Sequence, residues 1–258
     1  MTGAVSTLWH YPVKGLSGQP LETVTLTPGR GFPDDRIFAF ARAGGAYDPA
    51  VWRPLKKTEF HMLARDAALA NIRSHYGDGV LRLSAGEAEA TFDLRTEDGK
   101  RGAEAFLARH LSLADAARPQ FADAGENRFT DISVDSEAMM NAVSLISLST
   151  VRALGQRLGV TLDPMRFRGN ITFDGFGPQA ELEWEGRELA VGEARLKVVH
   201  RTTRCAATTV NPATAERDVP IPRRLMELFG HAQLGVYAEV VAGGAVRPGD
   251  AVRLLPAA

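Results

Sequence analysis

Leu21-Glu-Thr-Val-Thr-Leu26 threads Leu, Val and Leu through polar residues, the alternation of a half-buried strand. What lies on either side repeats the signal. Ala4 to Trp9 is a short apolar run closed by Tyr11-Pro12. Gly29-Arg30-Gly31 is a turn, and Arg36 to Ala41 is a further strand. Val80–Leu83 and Ala90–Leu94 form a hairpin pair around Gly86. The first helix is predicted over Arg101–Leu111. The stretch from Ala116 to Asn141 is poorly patterned, and the division between two domains, 1–115 and 116–258, is placed at its start.

Beyond it a helix is expected from Ser147 to Leu158, with Ser147 or Ser149 as cap and Gly159 at its end. Strands follow at Ile171–Phe173, Glu188–Val191 and Arg195–His200, then a helix over Pro222–Phe229 and two strands around Gly243-Gly244. Strands dominate, and they do not alternate regularly with helices, which excludes a doubly wound fold. The expected class is α+β, mostly β and centred on β-barrels.

The 258 residues carry 30 Lys and Arg against 31 Asp and Glu. A balance this even gives no basic footprint for nucleic acid. No apolar stretch approaches the roughly 20 residues of a membrane span, and Met1 to Gly15 shows no secretory signal. A cytoplasmic protein is expected. The six histidines (10, 61, 75, 110, 200 and 231) are scattered, with no CxxC or HExxH, so a zinc site is unsupported.

Three short stretches carry chemistry. Arg201-Thr-Thr-Arg204-Cys205-Ala-Ala-Thr208-Thr209 puts the sole cysteine after two arginines. Neighbouring cations favour a thiolate, the form that attacks or ligates metals; the other reading is a core thiol in a strand. Met165-Arg166-Phe-Arg168-Gly-Asn170, if extended, turns Arg166, Arg168 and Asn170 to one side, a cradle for an anion. The alternative is a solvated edge of surface ion pairs. Gly175-Phe-Gly177 mimics a dinucleotide fingerprint, but Pro178 and the polar run after it open no apolar helix, so it reads as a loop.

Taken in order, Tyr11-Pro-Val-Lys14-Gly15, Asp35-Arg36, Ser144-Leu-Ile-Ser147, Arg166-Phe-Arg168-Gly-Asn170, Arg204-Cys205-Ala-Ala-Thr-Thr-Val-Asn-Pro212, Gly235-Val-Tyr237 and Gly249-Asp250 resemble the MOSC proteins that carry a MOSC N-terminal β-barrel domain. That group includes the amidoxime-reducing components and the bacterial YcbX-type enzymes. The resemblance implies a MOSC-N β-barrel followed by a MOSC β-barrel with a few helices. It also implies a molybdenum–pterin (molybdopterin) cofactor ligated by Cys205. Lys14, Arg36, Ser147, Arg166, Arg168, Asn170, Thr203, Arg204 and Tyr237 would bind that cofactor.

The implied activity is reduction of small N-hydroxylated compounds, N–OH to N–H, with oxygen removed at molybdenum. One cysteine cannot hold an iron–sulfur cluster, and no flavin or haem motif is present. A separate flavin reductase or ferredoxin-type protein would supply electrons. The alternatives are a cofactor or sulfur carrier with Cys205 as persulfide, and a non-enzymatic small-molecule-binding barrel. Gly15 stands where serine is common, so a hydroxyl contact is expected to be missing or to come from Ser17.

Overall fold

The computed structural model describes residues 2–256. Its first half contains β1 (Thr2–His10), β2 (Gln19–Leu21), β3 (Val24–Leu26), β4 (Phe38–Ala41), β5 (Arg73–Gly77), β6 (Val80–Ala85), β7 (Ala88–Asp93) and α1 (Glu97–His110). Then come β8 (Gln120–Asp123), α2 (Glu137–Met140), β9 (Val143–Ser147), α3 (Leu148–Leu158), β10 (Ile171–Asp174) and β11 (Glu188–Val191). β12 (Ala194–Thr203), α4 (Ile221–Phe229), β13 (Gln233–Ala242), β14 (Gly244–Val246) and β15 (Ala251–Leu254) complete the chain.

The class is the expected one, mostly β. Seven strands run in the order β10-β9-β13-β12-β11-β15-β1, and β1 pairs back onto β10 to close a barrel, with β2 attached outside the ring. Closure leaves no unpaired edge within that ring. Its interior is filled by the alternate side chains of these strands, among them Val5, Leu145, Phe173, Leu189, Leu196, Val198, Val236 and Val252. β1, from the N-terminal part of the chain, lies between β15 and β10 in this ring.

The opening stretch behaves differently from its sequence reading. Leu21 and Val24 are three residues apart, so a single strand would send them to opposite faces. The chain breaks at Glu22-Thr23 instead, both exposed. β2 then pairs with β1, and β3 with β14. The expected strand at Arg36 also starts later, at Phe38, because Arg36 itself has a left-handed backbone (φ 54°).

Helix ends follow local chemistry. α1 begins four residues earlier than its apolar periodicity suggests, since the Thr96 side chain accepts from the Gly99 N–H at 3.0 Å. It buries Ala103, Phe106 and Leu107 on a second core with Leu81 and Leu83 of the three-stranded β5-β6-β7 sheet. α3 spans Leu148–Leu158 with Ser147 as its cap and Gly159 in the left-handed closing position, as its sequence indicates.

β12 links the barrel to the site. Ala194, Leu196 and Val198 point into the core, and register shifts interrupt its pairing with β13 after Val198 and again after Arg201. Bulges re-aim the side chains that follow them. Past Val198 the same strand turns His200, Thr202 and Thr203 to a cavity.

Candidate active site

A cavity of about 240 Å³ lies between the segments around Lys14, Arg36 and Lys57–Ala64 and those around Arg166–Asn170 and Thr202–Thr208. Main-chain bonds set its first wall. The Lys14 N–H donates to the Phe38 carbonyl (2.8 Å), Phe38 N–H to Pro12 O (3.0 Å) and Arg36 N–H to Tyr11 O (2.7 Å). This pairing brings Lys14 and Arg36 together although 22 residues separate them. The Asp35 carboxylate accepts from the Tyr11 N–H at 2.8 Å and from the Arg36 guanidinium.

Lys14 turns out to be buried. Its ammonium donates to the Phe129 carbonyl (2.9 Å) and pairs with Asp131. The two partners are served unequally. Burial lowers the Lys14 pKa despite Asp131 beside it. Burial also opposes the Asp131 charge, but Lys14 and Lys57 outweigh it and hold that carboxyl well below the usual range. Glycine at position 15 has φ +85°, a conformation strained for serine, and a Cβ there would lie 3.2 Å from the His61 carbonyl oxygen. Ser17 does not replace the missing hydroxyl in this cavity. It interlocks with Ser74, whose N–H donates to the Ser17 Oγ at 2.8 Å.

The arginine pair does not sit on an extended chain. Pro164–Phe167 is a 3-10 turn capped by Asp163, and Arg168 is left-handed (φ 51°). The turn still delivers both guanidinium groups to the cavity. Arg166, 6% exposed, pairs with Asp218 at 2.6 Å. Arg168 lies over the Tyr11 ring (4.2 Å to the centroid) and donates to the Leu16 carbonyl at 2.6 Å. Burial, then Arg36, push its pKa down to about 10.

Arg204 donates to the Leu234 (2.7 Å) and Phe167 (3.0 Å) carbonyls, and burial again lowers its pKa to about 10. Each of the three arginines retains an enclosed nitrogen with no partner: Arg166 Nε, Arg168 Nη2 and Arg204 Nη2. Buried donors are ordinarily satisfied, so three arginines that line one cavity with donors to spare make a cationic lining suited to an anion.

Cys205 is partly exposed and lines the same cavity. It follows β12 and caps the turn Ala206–Thr209. Arg217 fastens this turn to the first wall. Its guanidinium donates to the Ala206 carbonyl (2.9 Å) and Thr209 Oγ1 (2.8 Å), and to the carbonyls of Leu63 (3.0 Å) and Ala64 (2.9 Å).

Nine of the ten residues expected at the site therefore line one cavity: Lys14, Arg36, Arg166, Arg168, Asn170, Thr203, Arg204, Cys205 and Tyr237. Ser147 does not. It is fully buried and its Oγ accepts from the Thr150 N–H, so the hydroxyl serves the helix cap. Asn170 is at the cavity, but its amide braces the barrel, accepting from the Ser144 N–H (3.0 Å) and donating to the Trp9 carbonyl (3.2 Å).

The sequence reading missed Lys57, Asp131, Ser144 and Thr202. Asp131 lies in the poorly patterned stretch, and no local signal marks it. Thr202 adjoins Thr203, and its buried hydroxyl has no partner.

Gly235 keeps this end of the barrel tight. Its φ is +74°, and a Cβ there would come within 2.5 Å of the Leu145 carbonyl oxygen and 2.9 Å of Arg204 Nη2. Gly235→Ala is expected to cost about 2–4 kcal/mol, from left-handed strain and overpacking together. Urea denaturation measures this. A loss below about 1 kcal/mol would show that the strand relaxes around the methyl group.

A model of the MOSC domain matches residues 115–253, and one of the MOSC N-terminal beta barrel domain matches residues 2–127. The chain belongs to the MOSC-domain family. Mitochondrial amidoxime-reducing component 1 of Homo sapiens is similar to it, 30% identical over 98% of this chain and 83% of that protein. Its counterpart in Mus musculus is 25% identical over 98% of this chain and 82% of that protein. The solved YuaD protein from Bacillus subtilis aligns with 98% of this MOSC protein and 94% of its own chain at 14% identity and a TM-score of 0.46. No helix among the described residues is long and apolar enough to cross a membrane.

Proposed function

We propose that this MOSC protein is a molybdenum-cofactor-dependent reductase of small N-hydroxylated compounds. The observation that carries the reading is that three arginines, Arg166 and Arg204 buried and Arg168 half-buried, and a partly exposed cysteine line one cavity. A pterin cofactor offers a phosphate for the first and a metal for the second. The donor set fits. A guanidinium presents a planar fork of donors to phosphate, and a thiolate is a soft ligand suited to a redox metal.

In this reading Arg166, Arg168 and Arg204 hold the phosphate and pterin, and Lys14 and Arg36 add positive charge from the first wall. Tyr237, Thr203 and Thr202 offer hydroxyls. Cys205 supplies the protein's ligand to the metal. When bound, the cofactor supplies two-electron chemistry that takes up the oxygen of the substrate. The overall change balances as N–OH plus two electrons and two protons giving N–H plus water. The electrons come from a separate flavin reductase or ferredoxin-type partner.

The test is elemental analysis of protein from a host that makes the cofactor, followed by benzamidoxime reduction with an artificial donor. Stoichiometric molybdenum with pterin fluorescence and turnover is the expected result. Cyanide-releasable sulfur without molybdenum would instead mean a sulfur carrier, and neither would mean a binding barrel.

A further inference from the structure

Cys205 lies between two arginine clamps that tie it to different parts of the molecule. Upstream, Arg204 donates to the Leu234 and Phe167 carbonyls, which fixes the end of β12 to β13 and to the Pro164–Phe167 turn. Downstream, Arg217 spans from the Ala206–Thr209 turn to the first wall. Its Nη1 takes the Ala206 carbonyl (2.9 Å) and Thr209 Oγ1 (2.8 Å). Its Nη2 takes the Leu63 (3.0 Å) and Ala64 (2.9 Å) carbonyls. All four partners are uncharged oxygens. The contact therefore depends on a planar fork that presents two nitrogens in fixed directions, which a lysine does not have.

Both ends of this span are fixed. The His61 N–H donates to the Phe40 carbonyl at 2.8 Å, which ties the segment before Leu63 to β4, and the Lys14 N–H bonds β4 as well, at Phe38. Leu63 and Ala64 thus move with the wall that carries Lys14. On the other side Val210 and Arg217 form an antiparallel bridge, and the Asn211 N–H donates to the Glu216 carbonyl at 2.7 Å. Asp218, next in the chain, pairs with Arg166 and accepts from Asn211 Nδ2 at 2.8 Å. The return loop 210–218 therefore joins the Cys205 turn, the first wall and Arg166. Leu63 and Ala64 fall in the part matched by the MOSC N-terminal domain, and Ala206 to Arg217 in the part matched by the MOSC domain alone.

We propose that Arg217 is a positioning residue that sets the place of the Cys205 thiol against the first wall, and thereby how firmly the cofactor is held. Arg217 does not itself line the cavity; it acts through the turn that follows the thiol. Residues that orient a ligand from outside the site matter because small displacements of the ligand weaken metal binding. The cofactor half of the proposal rests on the reductase reading above; the thiol half does not.

The first test uses cofactor-free protein, whose sole cysteine makes reaction with dithiobis(nitrobenzoate) a single-site measurement. Rates are compared on the high-pH plateau, where the thiol is fully ionised and the lost Arg217 charge no longer alters that fraction. Arg217→Met should react about tenfold faster than wild type, the worth of about one charged hydrogen bond. Arg217→Lys should stand between the two. In loaded protein, Arg217→Met should lose molybdenum on dialysis about tenfold faster. A thermal melt of each variant completes the set. Equal plateau rates in wild type and Arg217→Met overturn the proposal, as does a lowered melt with plateau rate and molybdenum loss unchanged, which would make Arg217 a structural brace. Wild type that never acquires molybdenum overturns the reductase reading and leaves the thiol measurement to decide on Arg217.

Discussion

Cys205→Ala is expected to abolish molybdenum-dependent reduction, to the level of protein prepared without cofactor. No other cysteine exists in the chain to take its place. Among the described residues no cluster of three or more His, Cys, Asp or Glu could hold a metal by itself. The fold should be indifferent to the change. Cys205 is partly exposed and lies two residues beyond β12 without packing in the barrel core, so stability should move by no more than about 1 kcal/mol. Molybdenum content, turnover and a thermal melt on one preparation check all three points. Retained molybdenum-dependent turnover in Cys205→Ala would remove the thiolate from the proposal.

Arg168→Met should produce effects of opposite sign on stability and on cofactor retention. Burial lowers the Arg168 pKa to about 10, with Arg36 adding to the effect. The sign follows from linkage. A cation whose folded pKa lies below its unfolded value destabilises the fold while protonated. That penalty is fully present below about pH 10 and fades only as pH climbs further, toward the higher unfolded value. Methionine fills similar space without charge, and its main cost is the loss of the donor to the Leu16 carbonyl. Cofactor-free Arg168→Met should therefore be as stable as wild type at pH 7, or up to about 2 kcal/mol more stable. The stability gap should close as pH rises past 10.

Cofactor retention should fall by about 10–100-fold, since a charge-assisted donor to the phosphate is gone. Denaturation across pH and molybdenum content after dialysis separate the two effects. A variant that loses more than about 1 kcal/mol of stability yet keeps its cofactor would make Arg168 a structural brace.

Arg168 also shows what a linear pattern can carry. The Arg-x-Arg-x-Asn spacing reads as one face of an extended chain. The actual turn, with a left-handed residue at 168, presents the same side chains by another route. The chemistry of a guanidinium survives the wrong backbone, because long side chains reach a shared anion site from several geometries. Ser147 fails for the complementary reason. A serine before a helix has a competing local partner in the N–H three residues on, and here the cap takes it.

By itself the sequence determined the strand-rich class, both ends of α3, the loop at Gly175 and the identity of the thiol, all from patterns spanning a few residues. The family resemblance pointed to others that line the cavity, Lys14, Arg36, Thr203 and Tyr237 among them. Only the tertiary structure decided that Lys14 is buried, that Asp131 joins it to Lys57, and that Leu21–Leu26 breaks in two so that β2 and β3 find different partners. These are contacts between residues far apart in the chain. Which of them form depends on how the barrel closes, and closure is a property of all seven strands together.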